Sequence, residues 1–259
     1  MTAPNTALAL TGERTLPGIA EENYWFRRHQ AAYEFLAGLI QDGTIGSGRL
    51  LEVGAGEGYG AALLAGLVPV CALDYDQAAI GHLAERYSGL PAVRANLAAL
   101  PVADATQHSV VSLQVIEHVW DHRQFLAECA RVLRPGGRLV LSTPNRLTFS
   151  PGAGPTDRPA NPFHSHEFTA AELAGLVRSA GFGQLLLYGL RPGPRLRELD
   201  RHHPGGLVAA QLAVPTEDWT ERLRAAVGSV STADFELTGP CSSERLDDCL
   251  DLILLARSA

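Results

Sequence analysis

Two short stretches hold more reactive side chains than their length requires. The first, Glu117-His118-Val119-Trp120-Asp121-His122, carries two carboxylates and two imidazoles. If a helix starts here, Glu117 with Asp121 and His118 with His122 form i,i+4 pairs on adjoining faces. A neutral imidazole can take a proton from a reacting hydroxyl. A carboxylate beside it can orient the ring or share a divalent ion with it, oxygen suiting magnesium and imidazole heavier metals. Glu117, His118 and Asp121 are therefore candidate metal ligands, with Mg2+ a candidate ion; the plainer alternative is a hydrogen-bonded pair that orients its loop. In the second stretch, Phe163-His164-Ser165-His166-Glu167-Phe168, two histidines flank a serine after an irregular segment, which makes His164 and His166 candidates for a substrate site.

Such groups need an element that brings a reactant to them. Leu50 to Gly60 reads as a strand running into a glycine-rich turn and then a helix, with four glycines (Gly54, Gly56, Gly58, Gly60) in seven residues. Glycines let the backbone adopt positive φ and come close to a ligand. From Gly56 the loop nominally meets a dinucleotide fingerprint through Gly58 and Ala61, with Asp74 at about the expected distance downstream. Glu52 argues against a pyrophosphate, because a carboxylate at the strand's end repels an anion and attracts an ammonium or sulfonium. Asp74 ends the second strand, where an acid can accept both hydroxyls of a ribose. Asp76 fits a helix N-cap better.

The Glu52, Gly54, Gly56, Gly58 pattern resembles the first motif of the class I S-adenosylmethionine-dependent methyltransferases. Glu117-His118-Val119 is similar to an element of ubiquinone-pathway and sugar O-methyltransferases, and Leu133-Arg134-Pro135-Gly136-Gly137 is a structural text typical of the same family. The Gly12 to Gly18 and Glu22 to His29 segments look similar to actinobacterial methyltransferases associated with methylated sugar polymers. The resemblance implies an α/β fold with a doubly wound, seven-stranded, mostly parallel sheet, an N-terminal cover helix and a C-terminal insertion. It implies S-adenosylmethionine held by Glu52, the three motif glycines, Asp74, Tyr75, Asn96, Leu97 and Gln114. Asn96 stands where many relatives have an aspartate for the adenine amino group, and its carbonyl can still accept that bond. Tyr24 and Arg27 or Arg28 would cover the methionine end, an arginine taking its carboxylate. The expected reaction is methyl transfer to a hydroxyl of a small, sugar-like acceptor, with His118, His166 or His164 as base and Glu117 orienting or binding metal. Transfer to nitrogen or carbon, and a non-enzymatic cofactor-binding module, are the alternatives.

The chain reads as one domain over residues 1–259: a cover segment at 12–45, a substrate lid at 146–168 rich in proline and glycine, and an insertion at 191–246 before the last strand. Residues 1 to 11 are small and polar, as expected of a mobile end. With 46% hydrophobic and 19% charged residues among 259, the composition is that of a globular protein. A formal charge of -7 opposes a nucleic-acid or anionic-membrane partner. The basic run Arg191, Arg195, Arg197, Arg201 is either a solvated face or a contact for an anionic group on the acceptor. Four cysteines without a C-x-x-C pair suggest reduced thiols. No apolar run approaches a membrane span, so the expectation is a soluble cytoplasmic protein, with a homodimer contact an option for the insertion.

Overall fold

The computed structural model describes residues 14–259. The expected mobile end at residues 1 to 11 and the Gly12-Glu13 start of the N-terminal motif lie outside the described residues. The helices are α1 (Asn23–Gln41), α2 (Tyr59–Ala65), α3 (Gln77–Arg86), α4 (His122–Val132), α5 (Arg146–Phe149), α6 (Ala170–Ser179), α7 (Pro194–Arg201), α8 (Gly206–Leu212) and α9 (Glu221–Gly228). The strands are β1 (Leu50–Val53), β2 (Val70–Asp74), β3 (Ala92–Arg94), β4 (Gln107–Leu113), β5 (Leu133–Pro144), β6 (Gly183–Pro192), β7 (Phe235–Leu237) and β8 (Asp251–Arg257).

The sheet order is β3-β2-β1-β4-β5-β8-β6-β7. The first five strands are mutually parallel, β8 runs antiparallel to β5 and β6, and β7 is antiparallel to β6. The chain winds outward from β1 through β2 and β3, then returns to the other side of β1 as β4. That reversal opens a crevice at the strands' carboxyl ends. The sheet has eight strands where seven were expected. The extra edge strand β7 is three residues long and comes from the insertion, too short to show a period of two.

Helices cover both faces, as a mostly parallel sheet requires. Phe125, Leu126, Leu173 and Val177 of α4 and α6 pack with Leu139 and Leu141 on one side. Leu36, Leu64 and Leu83 of α1, α2 and α3 pack with Val111 and Ile253 on the other. A third cluster joins the start of α1 to the insertion through Tyr24, Leu207, Trp219 and Phe235.

Asp76 caps α3 through the Ala78 amide, and Thr169 with Glu172 makes a capping box on α6. The segment after β4 departs from expectation. Ile116–His118 forms one 3-10 turn, Val119 is extended, and α4 begins only at His122 with Asp121 as its cap. The i,i+4 pairs of that segment therefore do not exist. Within the insertion, a 3-10 turn at Thr216–Asp218 precedes α9, and Trp219 and Leu223 are buried. Beyond α5 the 146–168 loop is irregular but tied down. Asn145 Nδ2 donates to the carbonyls of Leu246 and Cys249 (2.9 and 3.1 Å), and Ser165 Oγ donates to those of Glu117 and Val119 (2.9 and 2.7 Å).

Candidate active site

At the carboxyl ends of β1, β2 and β4 lies a crevice of about 240 Å³. Gly54, Gly56 and Gly58 take φ of +86°, +55° and +94°, the left-handed region that favours glycine. Asp74 fixes this loop, its Oδ2 accepting from the Gly56 amide at 2.7 Å and its Oδ1 from the Asp76 amide at 2.9 Å. Asp74, Tyr75, Leu97 and Gln114 all face the crevice. Gln114 has φ +55°, a conformation for a non-glycine residue that costs about 1–3 kcal/mol and persists where the surroundings enforce it. Its amide donates to Ser142 Oγ (3.1 Å) and Asp251 Oδ1 (3.2 Å).

Glu52 differs from expectation. It is fully buried behind the crevice wall, where the Tyr33 hydroxyl donates to its Oε1 at 2.5 Å; Tyr33 itself faces the crevice. Burial raises the Glu52 carboxyl to about 8, so most of it is protonated at neutral pH instead of standing as a fixed negative charge. With Tyr33 donating to Oε1, that proton sits on Oε2, which has no partner among the described residues; a cationic group nearby would favour its loss.

Three further expectations need correcting. Asn96 is exposed and outside the crevice wall, its Oδ1 accepting from the Ala98 amide at 2.9 Å in a local turn. Tyr24 packs edge-on against Trp25 and Phe235, away from the crevice. Arg28 is buried in an ion pair with Asp251, Nε donating to Oδ2 at 2.7 Å, so its guanidinium is committed. Two acids of the crevice wall escaped the sequence reading. Glu57, the buried acid inside the glycine loop, accepts from the Tyr59 amide and the Tyr87 hydroxyl (3.1 and 2.9 Å) and lies 3.0 Å from His82 Nε2. Asp251 is a lone acid in the otherwise apolar run Leu250 to Ala256, a signal by itself because unpaired acids are almost never buried.

A second cavity of about 550 Å³ lies among α1, the 146–168 loop and the insertion. His29, Gln114 and His118 belong to both walls. The Nδ1 of His118 lies 3.2 Å from the Phe163 carbonyl oxygen. A carbonyl can only accept, so the ring proton sits on Nδ1 and Nε2 is the basic nitrogen. His164 Nδ1 pairs with Glu167 Oε1 at 2.7 Å and Nε2 with Asn161 Nδ2 at 3.0 Å. Asn161 Oδ1 accepts from the Phe163 amide, so Nδ2 is the donor to His164, whose own proton lies on Nδ1. Glu117 is buried below both rings, accepts from Thr143 Oγ1 at 3.0 Å, and is raised by burial to about 7.

Donor atoms of Glu117, His118 and His164 lie within 4.8 Å of one another. Asp121, expected among them, is exposed and caps α4; His164 takes its place. His166 packs edge-on against Phe168 and tilted against His122 (4.4 and 5.7 Å between ring centres), outside the cavity wall. His29 was not singled out. Its Nδ1 lies 3.3 Å from Thr15 Oγ1, and burial with the Arg28 charge lowers its imidazole to about 3, so it is neutral. Its position at the end of Tyr24-Trp25-Phe26-Arg27-Arg28 is visible in sequence, but not the face it presents. The basic run faces neither cavity. Arg195 holds Asp234, Arg191 and Arg197 approach Glu236, and Arg201 holds Glu198.

A glycine loop and an acid ending the neighbouring strand, at the reversal point of a doubly wound sheet, place the chain in the Rossmann-like class. A methyltransferase domain family matches residues 51–141. The chain is 50% identical over 255 residues to a probable S-adenosylmethionine-dependent methyltransferase of Mycolicibacterium smegmatis, covering 97% of this chain and 95% of the relative. It is 48% identical over 258 residues to one of Mycobacterium tuberculosis, covering 98% and 91%. A solved methyltransferase of Thermotoga maritima, described as a possible histamine N-methyltransferase, shares the fold at TM-score 0.60 and 18% identity, covering 91% of this chain and 93% of its own. The chain belongs to the S-adenosylmethionine-dependent methyltransferases, and S-adenosylmethionine is its methyl donor. Among the described residues no helix is long and apolar enough to cross a membrane.

Proposed function

We propose that the enzyme methylates a hydroxyl oxygen of a small, sugar-like acceptor, with His118 as general base. The observation that carries this reading is the position of His118 in the walls of both cavities, with Nε2 as its basic nitrogen. The donor supplies a methyl already activated by its sulfonium. The glycine loop, Asp74, Tyr33 and the orphaned Glu52 oxygen suit the donor's ribose and cationic end, and Gln114 borders both ligands. Holding acceptor and donor in line can contribute up to roughly 7–11 kcal/mol. Proton removal by His118 adds about 10²- to 10⁴-fold. Trp25, Phe149, Phe163 and Trp219 line the acceptor cavity and suit the C–H faces of a sugar ring.

Glu117, His118 and His164 also lie close enough to share a divalent ion, with Glu167 behind His164 as the usual outer carboxylate, provided that the ion displaces Asn161 Nδ2 from His164 Nε2. One carboxylate and two imidazoles favour zinc or manganese over magnesium. An ion there would occupy the proposed base. Transfer of labelled methyl to a panel of saccharides and simple alcohols, with wild type, His118→Ala and chelated enzyme, tests the reading. Label on nitrogen, or near-full turnover by His118→Ala, would sink it; loss of turnover on chelation, restored by Mn2+ or Zn2+, would replace the base with the ion.

A further inference from the structure

The floor of the acceptor cavity is built by the insertion, and it contains two unmatched polar atoms of opposite sense. Gln211 of α8 and Trp219 both line the cavity and are 5% and 9% exposed. Gln211 Nε2 donates to the Leu207 carbonyl at 3.1 Å, whereas Gln211 Oε1 and Trp219 Nε1 have no partner among the described residues. A buried acceptor and a buried donor left unpaired are each unfavourable, and native proteins rarely tolerate either without a ligand or a water to complete it.

We propose that Gln211 and Trp219 form a recognition subsite for a second hydroxyl of the acceptor, remote from the one that is methylated. A hydroxyl both donates and accepts, so such a group can complete either residue: its proton can go to Gln211 Oε1, or its oxygen can accept from Trp219 Nε1. The amide torsion of glutamine is broad and turns at little cost, which lets Oε1 meet an entering group. The charge of the wall narrows the class further. Both arginines that reach the cavity already hold aspartates, Arg28 with Asp251 and Arg14 with Asp76, while Glu22 and Glu117 add carboxyls. The ligand class is a neutral polyol, without phosphate or carboxylate. This subsite rests on the hydroxyl-acceptor reading above and extends it to a second contact.

The test is binding of methyl α-glucoside, α-galactoside and α-mannoside to the full chain with S-adenosylhomocysteine, read by saturation-transfer NMR and calorimetry for wild type, Gln211→Leu and Trp219→Phe. At least one glycoside binds wild type, each substitution weakens it about 5- to 30-fold, and the 6-phosphate of that sugar does not bind. Without glycoside, both variants melt at or above the wild-type temperature, because each has lost an unmatched group. Equal binding by wild type and variants overturns the subsite, as does no glycoside binding at all. Variants that melt several degrees lower with unchanged binding would assign the pair to a structural water instead. A glycoside that binds through Gln211 and Trp219 but is never methylated would leave the subsite standing and remove the proposed transfer.

Discussion

The basic face of His118 is set by the carbonyl of Phe163, 3.2 Å from its Nδ1. The two residues are forty-five positions apart, and the contact depends on the 146–168 loop lying against the segment after β4. Ser165 makes that join: its hydroxyl donates to Glu117 and Val119 carbonyls, and its amide donates to Glu117 at 2.7 Å. The orientation of the His118 ring is thus a property of the 146–168 loop.

His118→Ala lowers kcat/KM by about 10²- to 10⁴-fold, with S-adenosylhomocysteine affinity changed only a few-fold. Ser165→Ala removes the hydroxyl bonds and lowers kcat about fivefold, on the scale of one lost hydrogen bond of roughly 1 kcal/mol. In the His118→Ala background Ser165→Ala has no further effect on rate, since the ring it orients is gone. Initial rates for the four enzymes decide this; simple multiplication of the two losses would show that Ser165 acts elsewhere.

Glu52 makes both stability and donor binding depend on pH. Its carboxyl goes from a usual 4.5 to about 8 on burial. Between those values the folded state keeps a proton that the unfolded chain has lost, so stability falls as pH rises through the window. A sulfonium or ammonium nearby favours the carboxylate, so donor binding expels that proton and affinity rises toward pH 8 before levelling. Glu52→Gln flattens both trends. Melting temperatures and donor titrations at pH 6 and 8.5, taken as the wild-type minus variant difference, check it. Identical slopes for the two proteins refute the coupling.

Much of the frame was legible because it is written locally. The cap at Asp76, the strand-turn-helix at Gly54 and the acid that ends β2 each lie within a few residues of the element they define. The site's other half was not, for a physical reason. Arg28 and Asp251 are separated by 223 positions, so the sequence shows a free arginine where the fold holds a neutralised pair. Tyr24 looked available for a cofactor because three adjacent aromatics carry no sign of which will be covered by an insertion. His164 replaced Asp121 beside Glu117 because a single extended residue, Val119, ends the turn and spoils helical spacing.

The Arg28 and Asp251 pair predicts an asymmetric response to mutation. Arg28→Ala leaves Asp251 buried without its partner and costs about 3–5 kcal/mol, whereas replacing both with apolar residues of similar size is often neutral. Chemical denaturation should therefore rank wild type close to Arg28→Met with Asp251→Leu, and both well above Arg28→Ala. Because Asp251 and Gln114 meet in the donor crevice, the stable double variant still binds S-adenosylhomocysteine more weakly than wild type. A double variant as unstable as Arg28→Ala would mean that the charges themselves hold α1 to β8.

The glycine loop separates two reasons for glycine. At Gly54, a Cβ would lie 2.4 Å from Val115 Cγ2, and φ is +86°; an alanine there must move β4's end or the loop. At Gly56, φ is +55° but a Cβ meets nothing within 4 Å, so alanine costs only the left-handed backbone strain, about 1–2 kcal/mol. The added methyl at Gly56 instead enters open space, at a residue that lines the crevice. Gly54→Ala should therefore lower the melting temperature markedly, and pairing it with Val115→Ala should recover part of the loss. Gly56→Ala should melt close to wild type yet weaken S-adenosylhomocysteine tenfold or more, roughly 1.4 kcal/mol. Calorimetry of the three variants reads both quantities, and a Gly56→Ala protein that binds the ligand as wild type does would place the donor elsewhere than against this loop.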